Sequence, residues 1–162
     1  MGTKRVGWAR IRSLINENQN DLKHRREVVR TALTADTTLT DADYGSLILI
    51  DGSAALNLEM TLPTAPPLGA EFKFALSAAS NAATQILLDS GVNNKFEGYA
   101  VMYKADMADG TTAFHTHRKL GWGDATKIGG YLHVVCVNAT AGNVRWMIVD
   151  SRSDTAWINA HA

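Results

Sequence analysis

The chain contains little cysteine and little proline. Its one cysteine, Cys136, excludes an internal disulfide, and it has three prolines in 162 residues. No uninterrupted apolar run approaches the roughly 20 residues that a transmembrane helix needs, so we expect no membrane partner. The first twenty residues lack a signal-peptide apolar core, so we expect no Sec-dependent export. Cys136 stands within the apolar run LHVVCVN, which predicts a buried core residue rather than a reactive thiol.

Motifs of nucleotide-binding and nucleophilic enzymes are also missing. The chain has no G-x-G-x-x-G, Walker loop, G-x-S-x-G elbow or C-x-x-C pair. The segments DADYG and ADMADG contain close carboxylates, but they lack the spacing and the closing Glu of an EF-hand loop. We interpret them as turns whose side chains bond their own backbone. We therefore expect a protein that is not an enzyme, with no catalytic residues and no cofactor.

The charges of the chain are balanced in total but unevenly distributed. Residues 1–30 hold eight basic side chains against three acidic ones, a net charge of +5. The remaining residues hold eight against thirteen, a net charge of −5. A basic segment on an acidic body suggests a charged partner surface or self-assembly.

The basic segment, residues 1–30, is predicted to be a partly helical arm. Apolar side chains recur at helical spacing on one side of it, at Trp8, Ile11, Leu14, Ile15 and Leu22. An isolated helix of this length is marginal in water. We therefore expect the arm to become ordered against another protein, or, as the alternative, against its own domain. The predicted docking residues are Lys4, Arg5, Trp8, Arg10, Ile11, Arg12, Leu14 and Ile15.

Nucleic acid is the other partner to consider for this arm. Its basic side chains, with Trp8 among them, could hold a phosphate backbone. However, Glu17, Asp21 and Glu27 are mixed with the basic residues, and isoleucine and leucine alternate with them. This pattern fits docking on a protein better, so nucleic acid is not an expected partner.

From residue 28 onward the pattern changes to short runs typical of strands. There are ten, separated by turn-forming segments: VVRTAL, GSLILID, ALNLEMTLP, EFKFALS, TQILLDS, FEGYAVMYKA, TTAFHTHRK, GGYLHVVCVN, NVRWMIVD and TAWINA. Apolar and polar residues alternate within them, as at Leu58, Met60 and Leu62. With no crossover helices, the pattern predicts a mainly β domain over residues 31–162, an antiparallel β-sandwich or jelly-roll-like fold.

His115 and His117, in the segment AFHTHRKLG, are the strongest candidates for chemistry. On a strand, residues i and i+2 point to the same side, as two metal ligands would. A His-x-His pair occurs in cupin enzymes, but Gly110 is one residue too close, and Trp122 stands near the position of the expected Glu. Two imidazoles also do not complete a mononuclear catalytic site, which typically has three protein ligands.

Three interpretations of this pair remain open. The favoured one is the polar alternation of an ordinary strand, with no metal. The second is a metal on the axis of a threefold homo-oligomer, where two histidines per chain supply six nitrogens. The third is a cupin-like metal-dependent enzyme.

Two parts of the chain resemble a known family of modules. TALTADTTLTDADYGSLILIDGSAALNLEMTLPTAPPLGAEFKFALS resembles β modules of tailed-bacteriophage virion proteins, found in head-decoration proteins and fibres. GGYLHVVCVNATAGNVRWMIVDSRSDTAW is similar to the closing hairpin of such modules, with Trp146 and Trp157 at the tryptophan positions. Asp154 departs from that pattern, which often has glycine there. KRVGWARIRSLINENQN is similar to a segment of marine and cyanobacterial phage structural proteins.

The resemblance implies a capsid decoration (cement) protein that binds the outer surface of the phage head. It implies the major capsid protein as partner, a homotrimer, and a location in the virion after synthesis in the host cytoplasm. A head- or tail-fibre or receptor-binding module is the alternative, with exposed aromatic residues such as Tyr44, Tyr103 or Trp122 as contacts. The chain carries no long repetitive shaft sequence, which favours decoration.

Overall fold

The alternating segments form β-strands in the structure, a computed structural model that describes Arg12 and residues 31–53, 57–81, 85–102, 110–122, 126–155 and 157–160. This part of the chain contains eleven strands and a short 3-10 helix, Asp41–Asp43, so the predicted mainly β class is confirmed. The strands are β1 Thr37–Thr38, β2 Leu47–Asp51, β3 Asn57–Thr61, β4 Glu71–Ala78, β5 Gln85–Asp89, β6 Lys95–Met102, β7 Gly110–His117, β8 Lys119–Trp122, β9 Tyr131–Asn138, β10 Arg145–Arg152 and β11 Trp157–Ala160.

These strands form two sheets, and both sheets mix parallel with antiparallel pairs. One has five strands in the order β1-β3-β5-β8-β11, and the other has six in the order β2-β4-β9-β10-β6-β7. The pairs β1–β3, β3–β5, β2–β4 and β6–β10 are parallel, and the other five are antiparallel. The prediction of a wholly antiparallel domain is therefore wrong for four of the nine pairs in the described residues.

The parallel pairs near the start of the domain arise because the chain alternates between the sheets. β2 and β4 are neighbours in the six-stranded sheet, while β3, which separates them in sequence, lies in the five-stranded sheet. β4 therefore returns in the same direction as β2, with Leu47 opposite Lys73. Parallel strands need a long crossover, usually a helix; here a strand of the other sheet takes that place. A lack of helices therefore does not exclude parallel pairing.

The buried faces of both sheets contribute to one hydrophobic core. Around β3, Leu58, Met60 and Leu62 are buried, while Glu59 and Thr61 between them are half-buried. Buried and more exposed residues also alternate in β4 and β9. The predicted alternation is confirmed because a strand with one face on a core places every second side chain inside.

Aromatic rings form the centre of this core. The ring centroid of Phe72 lies 5.6 Å from that of Trp146 and 6.0 Å from that of Phe74. Burying a side chain such as Phe stabilises the fold by about 1.5–3 kcal/mol. Cys136 is buried in the same cluster, which confirms its predicted place, and burial raises the pKa of its thiol.

Residues 33–39 join the two sheets along one side of the domain. The N–H of Leu33 donates to the carbonyl of Leu49 (2.8 Å), which attaches this segment to β2 in the six-stranded sheet. β1 pairs with β3 in the five-stranded sheet, and the N–H of Leu39 donates to the carbonyl of Thr61 (2.9 Å). The segment therefore covers the β2 edge of one sheet and extends the β3 side of the other.

Candidate interaction surface

The histidine pair lies on β7, the last strand of the six-stranded sheet. His115 stands opposite Glu97 and His117 opposite Phe96 on β6, with a register shift between these pairs. His117 is half-buried. In the part of the chain that the structure describes, no three His, Cys, Asp or Glu residues are grouped as metal ligands would be. The absence of a metal stays a prediction.

The arm residues lie almost entirely outside the described part of the chain. Lys4, Arg5, Trp8, Arg10, Ile11, Leu14 and Ile15 are in this group, as is the predicted domain boundary after residue 30. Arg12 is described, and it is helical and exposed. The prediction that these residues dock on a partner stays a prediction.

The outer face of the six-stranded sheet has exposed apolar side chains on three neighbouring strands. Val137 on β9, Met147 and Val149 on β10, and Tyr99 on β6 are 44 %, 42 %, 50 % and 60 % exposed. Because β10 lies between β9 and β6, we treat these four residues as one surface, the apolar patch. Exposed patches of this kind often mark protein-binding sites, so the patch is a candidate interaction surface.

Charged side chains border the apolar patch. Glu97 on β6 stands opposite Met147, and its carboxylate lies 3.3 Å from the guanidinium of Arg145. Lys95 stands opposite Arg145 in the same parallel pair. An apolar centre with a polar rim that includes arginine is the usual composition of a protein interface.

The same outer face becomes polar toward β4. His133 on β9 lies 3.1 Å from the carboxylate of Glu71, and Lys73 stands opposite His133 in the register. Surface pairs of this type contribute about 0–1 kcal/mol to stability. These groups therefore make this end of the face polar and add little to the stability of the fold.

An ion pair between half-buried Arg118 and the buried carboxylate of Asp89 stabilises the place where the chain passes between the sheets. Arg118, between β7 and β8, donates from Nε to Oδ1 of Asp89 (2.7 Å) and from Nη2 to Oδ2 (2.5 Å). The N–H of Gly91 also donates to Oδ1 (2.7 Å). Burial raises the pKa of Asp89, but these hydrogen bonds and the charges of Arg118 and Lys119 outweigh it, so the pKa is lowered. All these contacts lie within the fold, so we assign the pair a structural role.

The DADYG segment is a turn that bonds its own backbone. The N–H of Thr40 donates to Oδ2 of Asp43 (2.8 Å), and the N–H of Asp43 donates to the carbonyl of Thr40 (3.0 Å). The carboxylate of Asp43 therefore caps the N–H of Thr40, as the acidic residue of a capping box does, and the backbone bond closes the 3-10 turn. The interpretation of DADYG as a turn whose side chains bond the neighbouring backbone is confirmed.

The three aromatic residues expected as exposed contacts have different outcomes in the structure. Trp122 is fully buried, so its predicted role as an exposed contact is wrong. Tyr44 is half-buried, with its ring centroid 5.3 Å from that of Phe72, and Tyr103 lies outside the described residues. Tyr99 is exposed instead. Sequence reasoning missed it because the run FEGYAVMYKA is apolar on both faces and does not indicate which face is outside.

The chain has no helix, within its described residues, that is long and apolar enough to cross a membrane. No protein-family model matches the chain, and no match was found among curated proteins.

Proposed function

We propose that this chain is a structural protein of a tailed-bacteriophage virion, a decoration (cement) protein that binds the outer surface of the head. In this proposal the two sheets pack face to face as a β-sandwich and act as a rigid body. The arm, residues 1–30, reaches onto the major capsid protein, and the protein assembles as a homotrimer. It performs no catalysis.

The first support is the way the phage-like motifs fit the fold. TLT leads from β1 into the 3-10 helix. SLILID consists of β2 and the residue before it, and the Gly69–Phe74 segment contains the first half of β4. The TLP motif, Thr61–Pro63, ends β3 and begins the proline-containing connection to β4. The motif residues therefore serve as strands and turns, as a structural module requires.

The observation that carries the proposal is the apolar patch on the outer face of the six-stranded sheet. Tyr99 and Met147 are among the residue types enriched at protein interfaces, and the neighbouring Arg145 is another. A sheet face with an apolar centre suits docking on another protein surface, such as that of a capsid shell. The patch thus offers a docking surface on the folded domain, in addition to the arm.

Two contacts of modest affinity in each copy are enough for strong binding to a capsid shell. The patch and the arm are joined in one chain, so binding by one raises the effective concentration of the other. The net charge of +5 on residues 1–30 favours an acidic site for the arm. Ordering the arm costs conformational entropy, which burial of Trp8 and Ile11 offsets.

The test compares capsid binding by three forms of the protein. Purified heads without decoration are mixed with the full chain, with a form lacking residues 1–27, and with the double variant Tyr99→Ser/Met147→Ser. We expect co-sedimentation with heads for the full chain and at least a tenfold loss of affinity for each altered form. Asn57→Ser/Gln85→Ser, at two exposed positions of the five-stranded sheet, is the matched surface control and should bind as the full chain does.

Circular dichroism should show that the shortened form retains its β domain. Undiminished binding by the form lacking residues 1–27 would remove the arm from the proposal. Undiminished binding by the double variant would remove the patch, and failure of the full chain to bind heads would contradict the decoration role.

The alternative is a fibre or receptor-binding module, and the exposure of Tyr99 is the observation that favours it. Exposed tyrosines are effective contact residues because they bury much area at little entropic cost. This function predicts binding of the purified full chain to host cells, with loss of binding for Tyr99→Ser. Binding to heads without binding to cells decides for decoration.

A further inference from the structure

The two edges of the six-stranded sheet are unequal. At the β2 edge, the N–H of Leu33 donates to Leu49, and the carbonyl of Leu33 accepts from the N–H of Asp51 (2.9 Å). At the other edge, β7 pairs with β6 and with no further strand among the described residues. One edge of this sheet is therefore covered and the other is open in the described part of the chain.

The open edge has few of the features that prevent strand addition. β7 is eight residues long, and its sequence GTTAFHTH contains no Lys, Arg, Asp, Glu or Pro. Its one irregularity in register is at the end of the strand, beside Phe96 and Glu97. Natural edge strands are commonly short, charged, bulged or covered. An open strand of this length and composition is suited to pairing with an added strand.

We infer that β7 of one copy binds a strand from the N-terminal segment of a second copy, the run VVRTAL at positions 28–33. The β-branched Val28, Val29 and Thr31 favour a strand. The run ends at Leu33, which is hydrogen-bonded to β2 at the covered edge of its own sheet. The run would then lie between β2 of its own copy and β7 of the next, and the two sheets would continue into each other.

Distances within the sheet require that the donor be a second copy. β2 and β7 are five strand spacings apart, which is about 24 Å at 4.7–4.9 Å per spacing. The five residues from Leu33 back to Val28 span at most about 18 Å when fully extended. The run is therefore too short to reach β7 of its own chain from Leu33. Leu33 lies instead at the β2 edge, which an approaching β7 of another copy would meet.

A contact between two different edges is heterologous, and repeated contacts of this kind close into a ring when the rotation allows. Three copies related in this way form a cyclic trimer. The inference rests on the self-association included in the proposed function, and it does not depend on capsid binding. It also assigns different tasks to two parts of the N-terminal segment: residues 28–33 hold the copies together, and residues upstream of them remain free to dock.

Two full-length variants test the contact between copies, and each variant disrupts one side of it. The donor variant, Val28→Pro/Val29→Pro, removes two consecutive N–H groups and cannot join a sheet ladder. The acceptor variant, Thr111→Lys/Ala113→Lys, places charges on β7 at positions opposite Val101 and the exposed Tyr99. The matched control is Thr38→Lys/Gln85→Lys, which adds the same charge to exposed positions of the five-stranded sheet.

Sedimentation velocity without capsids gives the result. We expect the unmodified chain and the control to form species larger than the 17.5 kDa monomer, and each of the two variants alone to be monomeric. An equimolar mixture of the donor and acceptor variants should form a heterodimer, because one partner retains the run and the other retains β7. A monomeric unmodified chain, an associating donor variant, or a mixture that stays monomeric overturns the inference.

Hydrogen exchange gives a second measurement that does not need the acceptor variant to fold. At a concentration where the unmodified chain associates, the amides of residues 110–117 that do not bond to β6 should exchange at least tenfold more slowly than in the donor variant. Equal exchange in the two proteins overturns the inference. Association that persists without binding to phage heads would contradict the proposed decoration role and leave the strand exchange standing.

Discussion

Arg118 holds the buried carboxylate of Asp89 with two hydrogen bonds, Nε to Oδ1 at 2.7 Å and Nη2 to Oδ2 at 2.5 Å. Asp89 ends β5, and Arg118 is the single residue between β7 of one sheet and β8 of the other. The backbone carbonyl of Arg118 also accepts from the N–H of Ser90 (3.1 Å). The pair therefore fixes the point where the chain crosses from one sheet to the other.

Asp89→Asn should lower the free energy of unfolding by about 2–4 kcal/mol at neutral pH, because it leaves the Arg118 guanidinium without its charged partner. Chemical denaturation followed by tryptophan fluorescence measures the loss. Asp150→Asn, an exposed carboxylate on β10, is the control and should change stability by less than about 0.5 kcal/mol. Equal effects of the two substitutions would contradict the structural role of the pair.

Acid should weaken the fold in part through the same carboxylate. The pKa of Asp89 is lowered in the folded protein, so its stabilising contribution is complete above the unfolded pKa of about 3.9. That contribution is lost as the pH falls from there through the folded pKa. We expect the unfolding free energy of Asp89→Asn to depend less on pH between about 5 and 2 than that of the unmodified chain. Parallel pH profiles would contradict this assignment.

Gly121→Ala should destabilise the domain by about 2–3 kcal/mol, in the range of overpacking substitutions. A Cβ at this position would collide with the carbonyl oxygen of Ile86 and lie 2.7 Å from Cδ2 of Leu87. Both neighbours belong to β5, which pairs with β8. Thermal unfolding measures the effect. Ala75→Ser, on the outer face of β4, is a small-residue control, and an equal change for both would contradict the close approach.

Cys136 should resist modification while the domain is folded. Its thiol is buried and its pKa is raised by burial, and the thiolate is the reactive form. We expect a thiol reagent at pH 8 to label the native chain at least a hundredfold more slowly than the chain in 6 M guanidinium chloride. Labelling at comparable rates in the two conditions would contradict a buried position.

The three interpretations of the histidine pair predict different ratios of bound metal to protein chains. If His115 and His117 are ordinary residues of an edge strand, the purified protein contains no stoichiometric transition metal by elemental analysis. His115→Ala then changes neither metal content nor association. One metal per three chains, lost in His115→Ala, would support an axial site instead. One metal per chain together with an activity would support the cupin-like enzyme.

Several features could be predicted from local sequence alone. The strand around Leu58 and Met60 and the core position of Cys136 follow from apolar alternation, which depends only on neighbouring residues. The two glycines of the segment LGWGD favour a break between strands, yet Lys119–Trp122 forms β8. Gly121 suggests a turn when its sequence is considered alone. In the fold it lies where the backbone of β5 approaches too closely for a side chain.

The sequence by itself determined where most strands lie and which side chains of β3, β4 and β9 face the core, because the side-chain period of a strand is a local property. Only the tertiary structure decided which sheet each strand joins, which pairs are parallel, and that β7 is left at an edge. It also decided that Trp122 is buried and Tyr99 exposed. These features depend on contacts between residues far apart in the chain, and alternation within one segment carries no information about its partner.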